Sequence, residues 1–251
     1  MNFHIITIFP NVFDSYLNES IIGRAIDDKK IKVEFYNPRD FVKDKNKNGY
    51  KPVDDKPYGG GPGMVIKAEP ILKTVEAVFK KITNYELRIK NKKNKVKILV
   101  INFIPSAEKF TTNFAKKVSK KYTDIILICG RYEGIDARID KILQQVEDKF
   151  FKFKKISIGD YVLTGGELPA MVFVDCVSRQ IPGVLGKYES LEEERISSSE
   201  VYTRPEILGY PFKNIQGKKS KEYNVPKVLL SGDYKKIEEW KKGSPLSLEY
   251  S

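Results

Sequence analysis

Cysteine and histidine are scarce in this sequence of 251 residues, which holds two cysteines and one histidine. Cys129 and Cys176 lie in apolar stretches, which favours small buried side chains in a reducing compartment over an exposed nucleophile. His4 lies in an apolar segment typical of a strand. A Ser-His-Asp triad or a His/Cys zinc site therefore has almost nothing to be built from, and we assign no residue to a metal.

Long hydrophobic runs and nucleotide-binding signatures are missing as well. No apolar run approaches the roughly 18 to 20 residues of a membrane span, and the first residues lack the basic region of a signal peptide. We therefore expect a cytoplasmic protein with no membrane partner. Neither GxxxxGK followed by Ser or Thr, nor a GxGxxG leading from a strand into a helix, is present. Their absence argues against nucleotide hydrolysis and dinucleotide binding.

Basic residues outnumber acidic ones, 45 against 33, and the net charge of +12 permits an electrostatic contribution to the binding of a polyanion. Only eight of the 45 are arginines, so a general preference for lysine accounts for much of this charge. The lysine-rich run at 90–97 is typical of a solvated loop. The arginines are more informative, because a guanidinium can bind a phosphate or carbonyl at two points and a lysine cannot. Five of them lie in or beside glycine-containing segments: Arg24, Arg131, Arg138, Arg179 and Arg204.

Segments typical of strands and helices alternate over the first 180 residues. The apolar patterns predict strands at 3–9, 32–36, 96–102, 124–129 and 150–156. They predict helices at 12–17, 20–28, 67–81, 110–121 and 167–180, with one more opening in the GRYEGIDARID segment that follows the fourth strand. A long polar loop is expected at 38–63. This alternation predicts an α/β layer structure with a mainly parallel sheet.

The composition changes at residue 187. From there the sequence is polar and has no apolar periodicity, which predicts a flexible linker over 187–201. Residues 1–186 are predicted to form the α/β domain, and residues 202–251 a small helical domain.

Three glycine-rich segments are candidates for a ligand site. YGGGPGM at 58–64 is too rich in glycine for the interior of a helix or strand, so it is either a backbone that approaches a ligand closely or a structural turn. ICGRYEG at 128–134 and SIGDYVLTGGE at 157–167 each follow a strand, where ligands of open α/β sheets bind. Glu133 and Asp160 would attract a cation and repel a phosphate. This combination favours an adenosine that carries a positive charge over ATP.

Seven motifs resemble those of the bacterial tRNA (guanine-N1)-methyltransferases, the TrmD family. They occur in family order, extend over nearly the whole chain and include one block of fifteen residues. The motifs are PRDF at 38–41, VDDKPYGGGPGM at 53–64, CGRYEGID at 129–136, SIGDYVLTGGELPAM at 157–171, VSRQIPGVLG at 177–186, YTRPE at 202–206 and VLLSGDY at 228–234.

The resemblance implies a SPOUT-type fold in which the chain forms a deep trefoil knot around S-adenosylmethionine. It also implies a homodimer with active sites built from both subunits, and methylation of N1 of guanosine 37 in tRNA. Some members of the family use magnesium, on which the sequence is silent. The patterning alone would predict an unknotted, doubly wound sheet, because chains rarely thread through themselves.

Guanine N1 carries a proton at neutral pH, so its methylation needs a base near N1 and a cation or hydrogen-bond donor near O6, where charge accumulates. By resemblance, Arg179 faces O6. The family's base is an aspartate in the linker, and the alignment places Glu194 at that position, one methylene longer. The adjacent Glu192 and Glu193 leave this register open.

The resemblance also assigns the binding residues. The methyl donor is expected to contact Pro105, Gly130, Glu133, Ile158, Tyr161, Leu163, Gly165 and Gly166. The tRNA is expected to contact Arg24, Tyr58, Gly59, Gly60, Gly61 and Arg204, the last of these in the C-terminal tRNA-binding domain.

One departure from the family affects the donor segment. Asn102, Phe103 and Ile104 precede Pro105, where the family has a tyrosine and a serine before its proline. This change and Glu194 leave open an alternative, a SPOUT-like dimer that binds tRNA or donor with weak or lost turnover. A non-SPOUT Rossmann enzyme is a third reading, but it would need the dinucleotide fingerprint that is missing.

Overall fold

The computed structural model describes residues 1–43, 49–88, 96–186, 200–209 and 222–243. The chain divides into two units, Met1–Gly186 and Lys187–Ser251. None of the helices in the described ranges is both long and apolar enough to cross a bilayer.

The first unit contains seven strands and six α-helices among its described residues. The strands are β1 (Asn2–Ile6), β2 (Lys32–Tyr36), β3 (Asp54–Asp55), β4 (Val65–Ile66), β5 (Ile98–Lys109), β6 (Asp124–Ile128) and β7 (Phe151–Ser157). The helices are α1 (Asp14–Leu17), α2 (Ser20–Asp27), α3 (Ala68–Arg88), α4 (Thr112–Lys121), α5 (Arg138–Gln145) and α6 (Glu167–Arg179). Two 3-10 helices span Pro10–Phe13 and Pro38–Phe41.

Five of the strands form one parallel sheet in the order β2-β1-β6-β5-β7. The predicted α/β class with a mainly parallel sheet is therefore confirmed. A strand is present at each of the five predicted places, but β1 ends at Ile6 and not at the predicted residue 9. The short strands β3 and β4 pair antiparallel outside this sheet. Neither was predicted, because two residues are too few to show a period; β3 lies inside the predicted loop at 38–63 and β4 just beyond it.

Helices cover both faces of the sheet, which is why the central strand β6 and the first part of β5 are almost entirely apolar, whereas the edge strands β2 and β7 carry charged residues. Successive residues of β6 belong to opposite faces: Ile125 packs in one core cluster and Ile126 in the other. The first cluster takes side chains from α1, α2, α4 and α6, and the second from α3 and α5. In the first, Phe173 of α6 is completely buried, with its ring 4.9 Å from that of Phe110.

Strand β5 is longer than predicted and irregular in its middle. Phe103 and Glu108 both register with Ile156 of β7, so the chain leaves the ladder after Phe103 and rejoins it at Glu108. The apolar pattern ends at Asn102, and Pro105 and the polar residues after it do not indicate a strand. This out-of-register part of β5 becomes one wall of the candidate site.

Within the second unit, the described residues form two short strands and two helices. The strands β8 (Ile207–Gly209) and β9 (Glu222–Asn224) pair antiparallel, and α7 (Lys227–Leu230) and α8 (Tyr234–Gly243) follow them. The ring of Tyr202 lies 6.2 Å from that of Trp240 in an edge-on arrangement. Helices were predicted here, and the strand pair was not.

The single histidine is part of a buried polar network on the sheet. Nε2 of His4 lies 3.1 Å from Oδ1 of Asp124, and its Nδ1 lies 3.2 Å from the Tyr36 hydroxyl, which donates to Glu34. Burial raises the pKa of Asp124, but hydrogen bonds from His4 and Asn2 outweigh that effect and leave it below its ordinary value. His4 thus joins three strands of the sheet.

We expect the Lys81→Met variant to be less stable than the wild type at neutral pH and equally stable in strong acid. Burial opposes ionisation of Glu34, but hydrogen bonds from Lys81 and Lys32 outweigh it and lower its pKa to about 2 from an ordinary 4.5. This stabilisation is present above about pH 4.5 and is lost as the pH falls towards 2. Because the pair is partly exposed, the loss at pH 7 should be about 0.5 to 1 kcal/mol in urea unfolding.

The matched control is Lys80→Met, which removes an exposed pair with Glu76 on the same helix. It should lose less stability than Lys81→Met at neutral pH. An equal loss in the two variants, or one in Lys81→Met that persists unchanged to pH 2, would contradict the assignment.

Candidate active site

A cavity of about 410 Å³ lies where the chain leaves β6 and β7, beside the out-of-register part of β5. Three segments line it: 102–105 of β5, 130–135 after β6, and 156–166 at the end of β7 and beyond, with Asp160 left out. Ala137 and Asp140 of the α5 region and Pro169 of α6 complete the lining. The two glycine-rich segments that follow strands therefore lie on one cavity, as predicted.

The two glycine-rich segments touch through their backbones. The amide of Gly166 donates to the carbonyl of Gly130 over 2.8 Å. A Cβ on Gly166 would lie 2.7 Å from Cα of Cys129 and 2.9 Å from the Gly130 nitrogen, closer than real Cβ atoms come. Only glycine fits at position 166, and its contact sets the distance between two walls of the cavity.

A buried ion pair anchors the start of α6 beneath this contact. Glu167 accepts a hydrogen bond from the Thr7 hydroxyl over 2.9 Å, and its other oxygen lies 3.1 Å from Nε of Arg131. The Arg131 guanidinium lies 4.7 Å from the ring centre of Phe9. Because Glu167 is buried and Arg131 only partly so, loss of Arg131 would leave a buried carboxylate without its partner, at a cost of about 3 to 5 kcal/mol, and loss of Glu167 would cost less. Sequence reasoning missed Glu167, which was included only as part of a motif.

Neither cysteine is bonded to another, and their environments differ. Cys129 is buried at the end of β6, where desolvation and then the Glu167 carboxylate raise the pKa of its thiol. A thiol that stays protonated is a poor nucleophile, which agrees with its interpretation as a small buried side chain. Cys176 on α6 is half-buried rather than buried.

All eight residues assigned to the donor by resemblance line the cavity: Pro105, Gly130, Glu133, Ile158, Tyr161, Leu163, Gly165 and Gly166.

Of the two acids predicted to lie near a cationic ligand, only one lines the cavity. Glu133 faces the cavity, whereas Asp160 does not: its carboxylate is exposed and pairs with Lys109. The expectation for Asp160 was therefore wrong, because the turn after β7 directs its side chain towards β5 and solvent.

A second acid that the sequence analysis did not identify takes part in the lining. Asp140 on α5 accepts a hydrogen bond from the Asn102 amide over 3.0 Å and lies 3.5 Å from the Lys155 ammonium. Both Asn102 and Asp140 line the cavity. No glycine motif marks Asp140, and its contact with Asn102 joins residues 38 positions apart, so no local pattern could have found it.

The glycine loop at 58–64 is anchored at one end and exposed at the other. The amide of Glu133 donates to the carbonyl of Met64 over 3.0 Å, and that of Ile66 to the carbonyl of Gly134 over 3.0 Å. Tyr58 is fully exposed. Gly59, Gly60 and Gly61 have φ values of 87°, 78° and 109°, which only glycine adopts without strain. None of these four lines the cavity.

The remaining predicted residues do not converge on the cavity. Arg24 is exposed on α2, where its Nε donates to the Ser20 carbonyl of the same helix. Arg179 is the last residue of α6, a helix of 13 residues that begins at the cavity, so it lies roughly 18 Å along the axis from the first turn. Arg204 is exposed in the second unit. Glu194, Glu192 and Glu193 lie outside the described residues.

Comparison with known proteins yields matches along nearly the whole chain. A family model described as tRNA (Guanine-1)-methyltransferase TrmD matches residues 1–247. A tRNA (guanine-N(1)-)-methyltransferase of Clostridioides difficile strain 630 is 44% identical over 246 residues, 96% of this chain and 91% of the relative. Proteins of the same name from Buchnera aphidicola and Pseudoalteromonas atlantica are 40% and 38% identical; each match covers 95% of this chain, and 87% and 78% of the respective relative.

Proposed function

This chain belongs to the tRNA (guanine-1)-methyltransferase TrmD family, and we propose that it methylates N1 of guanosine 37, the nucleotide immediately 3′ of the anticodon. The family relation makes the chain a tRNA (guanine-N1)-methyltransferase, an enzyme that takes its methyl group from S-adenosylmethionine. The observation that carries the proposal is the family match over 247 residues, together with the one cavity that all eight assigned donor residues line.

The cavity fits the methyl donor in size and chemistry. Its volume of about 410 Å³ lies within the range of small-molecule sites, roughly 300 to 1,000 Å³. The main-chain groups of the glycine segments can reach the edge of a purine, and the carboxylate of Glu133 suits a positive charge. When bound, S-adenosylmethionine supplies an activated methyl group on a sulfonium. We further propose that the chain threads into a trefoil knot here, where β5 leaves the ladder and Gly166 touches the end of β6.

A homodimer would explain why Arg179 is distant from the cavity of its own chain. Its guanidinium must reach guanine O6, yet α6 carries it roughly 18 Å from the cavity end of the helix. We therefore propose that each active site takes Arg179 from the second subunit.

The surface beside α6 supports the same proposal. Val12 and Tyr16 near the N-terminus and Leu168 and Val172 on α6 are large exposed side chains. Burial and a hydrogen bond to Asp175 raise the pKa of Tyr16 to about 12, so its hydroxyl remains a donor that joins the two regions. A second copy of the chain would cover these apolar side chains.

The proposed mechanism divides the work between a base and a cation. Glu194 takes the proton from guanine N1, and Arg179 stabilises the charge that develops on O6. The exposed loop at 58–64, with Arg24 and Arg204, holds the tRNA. Residues 202–251 form the tRNA-binding domain, residues 187–201 the linker that carries the base, and the enzyme acts in the cytoplasm, where its substrate is.

Magnesium is a second candidate cofactor. Within the described ranges, no group of three or more His, Cys, Asp or Glu side chains could hold a metal ion. The activity assay is therefore run both with magnesium and with EDTA, and loss of activity in EDTA that magnesium restores would identify a metal requirement.

The proposal is tested with labelled donor and two tRNA transcripts that differ only in G or A at position 37. We expect label in the G37 transcript alone. Equal labelling of both would overturn the position, and absent labelling would overturn the activity. Donor binding in calorimetry without product in any condition would instead indicate the binding-only alternative, which the comparisons do not favour.

A further inference from the structure

Gly63 lies directly against the side chain of Glu133. A Cβ built on Gly63 would lie 2.5 Å from Oε1 and 2.6 Å from Cγ of Glu133. The φ angle of Gly63 is +87°, in the left-handed region that favours glycine. Any side chain at position 63 would therefore compete with the Glu133 carboxylate for the same space.

The backbone cannot easily relieve this competition. On the Gly63 side, the carbonyl of the next residue, Met64, accepts a hydrogen bond from the Glu133 amide itself, over 3.0 Å. Two more backbone bonds follow within three residues, from Ile66 to Gly134 and from Asp136 to Ile66. With both main chains tied together, a methyl group at position 63 would displace the flexible Glu133 side chain.

We propose that Gly63 is a positioning residue for the methyl donor: the space of its missing side chain holds the Glu133 carboxylate in the cavity wall, facing the positive sulfonium. This inference rests on the proposed donor site. The contact between Gly63 and Glu133 then couples the donor cavity to the exposed end of the same loop, which we propose holds the tRNA. By linkage, a ligand that orders the loop also favours the donor-binding position of Glu133, and the reverse holds equally.

The test measures dissociation constants by calorimetry without tRNA, for S-adenosylmethionine and for S-adenosylhomocysteine, which lacks the sulfonium charge. We expect Gly63→Ala to weaken binding of the donor about fivefold and of the neutral product less than about twofold, as for a partly exposed charge pair. The matched control is Gly49→Ala, because Gly49 also has a positive φ, +74°, but nothing within 4 Å of its Cβ position. It should leave both constants unchanged.

A double-mutant cycle separates positioning from general damage to the loop. In a Glu133→Ala background, Gly63→Ala should have no further effect on donor binding, because the side chain it displaces is gone. Additive losses, equal losses for the two ligands, or a Gly63→Ala variant that binds like Gly49→Ala would overturn the inference. Failure of the unaltered chain to bind the donor would instead overturn the proposed donor site, and the inference with it.

Discussion

The Glu194→Gln variant is expected to lower kcat by at least about 10²-fold while leaving the dissociation constant for S-adenosylmethionine unchanged. Glutamine has nearly the same size as glutamate but cannot accept the proton of guanine N1 at neutral pH. Since the donor cavity lies in the first unit and its lining residues stay intact, the loss should fall on turnover alone. Single-turnover kinetics with saturating tRNA, and calorimetry for the donor, separate the two quantities.

The neighbouring acids provide matched controls, because Glu192 and Glu193 lie in the same segment. Glu192→Gln and Glu193→Gln should each keep kcat within about threefold of the wild type. If Glu194→Gln keeps a normal kcat and Glu192→Gln or Glu193→Gln loses it, the base is that neighbouring residue and not Glu194. Loss of donor binding in Glu194→Gln would contradict the role altogether.

The extra methylene of Glu194 can be tested separately. A misplacement of about 1 Å can cost on the order of 10²-fold in rate, so the linker must compensate for the longer side chain if the enzyme turns over normally. Glu194→Asp introduces the aspartate that the resemblance leads us to expect at this position. A variant slower than the wild type would indicate that the linker is adapted to glutamate, and a faster one that the substitution limits the rate.

The main features of the fold follow from local patterns in the sequence. Continuous apolar runs such as 125–128 predict strands buried on both faces, and the intervening helical periods predict the layers that bury them. The return of β5 to the ladder at Glu108 was not predictable in this way, because the pairing is made with β7, almost 50 residues later. Threading of the chain is likewise a property of the whole path and has no local signal.

In the candidate site too, some features follow from local patterns in the sequence and others do not. Glycines after strands predicted that two segments meet at one cavity, since this depends only on where parallel strands end. The orientations of individual side chains were less predictable: Asp160 turns to Lys109, whereas Asp140 enters the lining through Asn102. Sequence patterns place backbone segments at a sheet edge, but contacts with distant elements decide which side chains face the ligand.

The Gly166→Ala variant is expected to raise the dissociation constant for S-adenosylmethionine by at least about 10²-fold. The added methyl would lie 2.7 Å from Cα of Cys129 and 2.9 Å from the Gly130 nitrogen, both backbone atoms at the end of a central strand. Cys129 is held there by a hydrogen bond from its amide to the Ile6 carbonyl over 2.9 Å. The segment after β7 must therefore move away, and a shift of about 1 Å there separates two walls of the cavity.

Two further glycines test this explanation, because the atoms that an added methyl group would meet differ from one glycine to the next. The three atoms nearest to an alanine methyl at Gly165 belong to the side chains of the Glu167–Arg131 ion pair and not to the backbone, so Gly165→Ala should weaken donor binding less than Gly166→Ala, but it should lower the stability because the pair must separate. Gly186 has nothing within 4 Å of its Cβ position, and Gly186→Ala should bind the donor normally. Thermal unfolding of all three variants separates a distorted cavity from a lost fold. Normal donor binding by a folded Gly166→Ala protein would show that the contact between the two glycine segments does not shape the donor site.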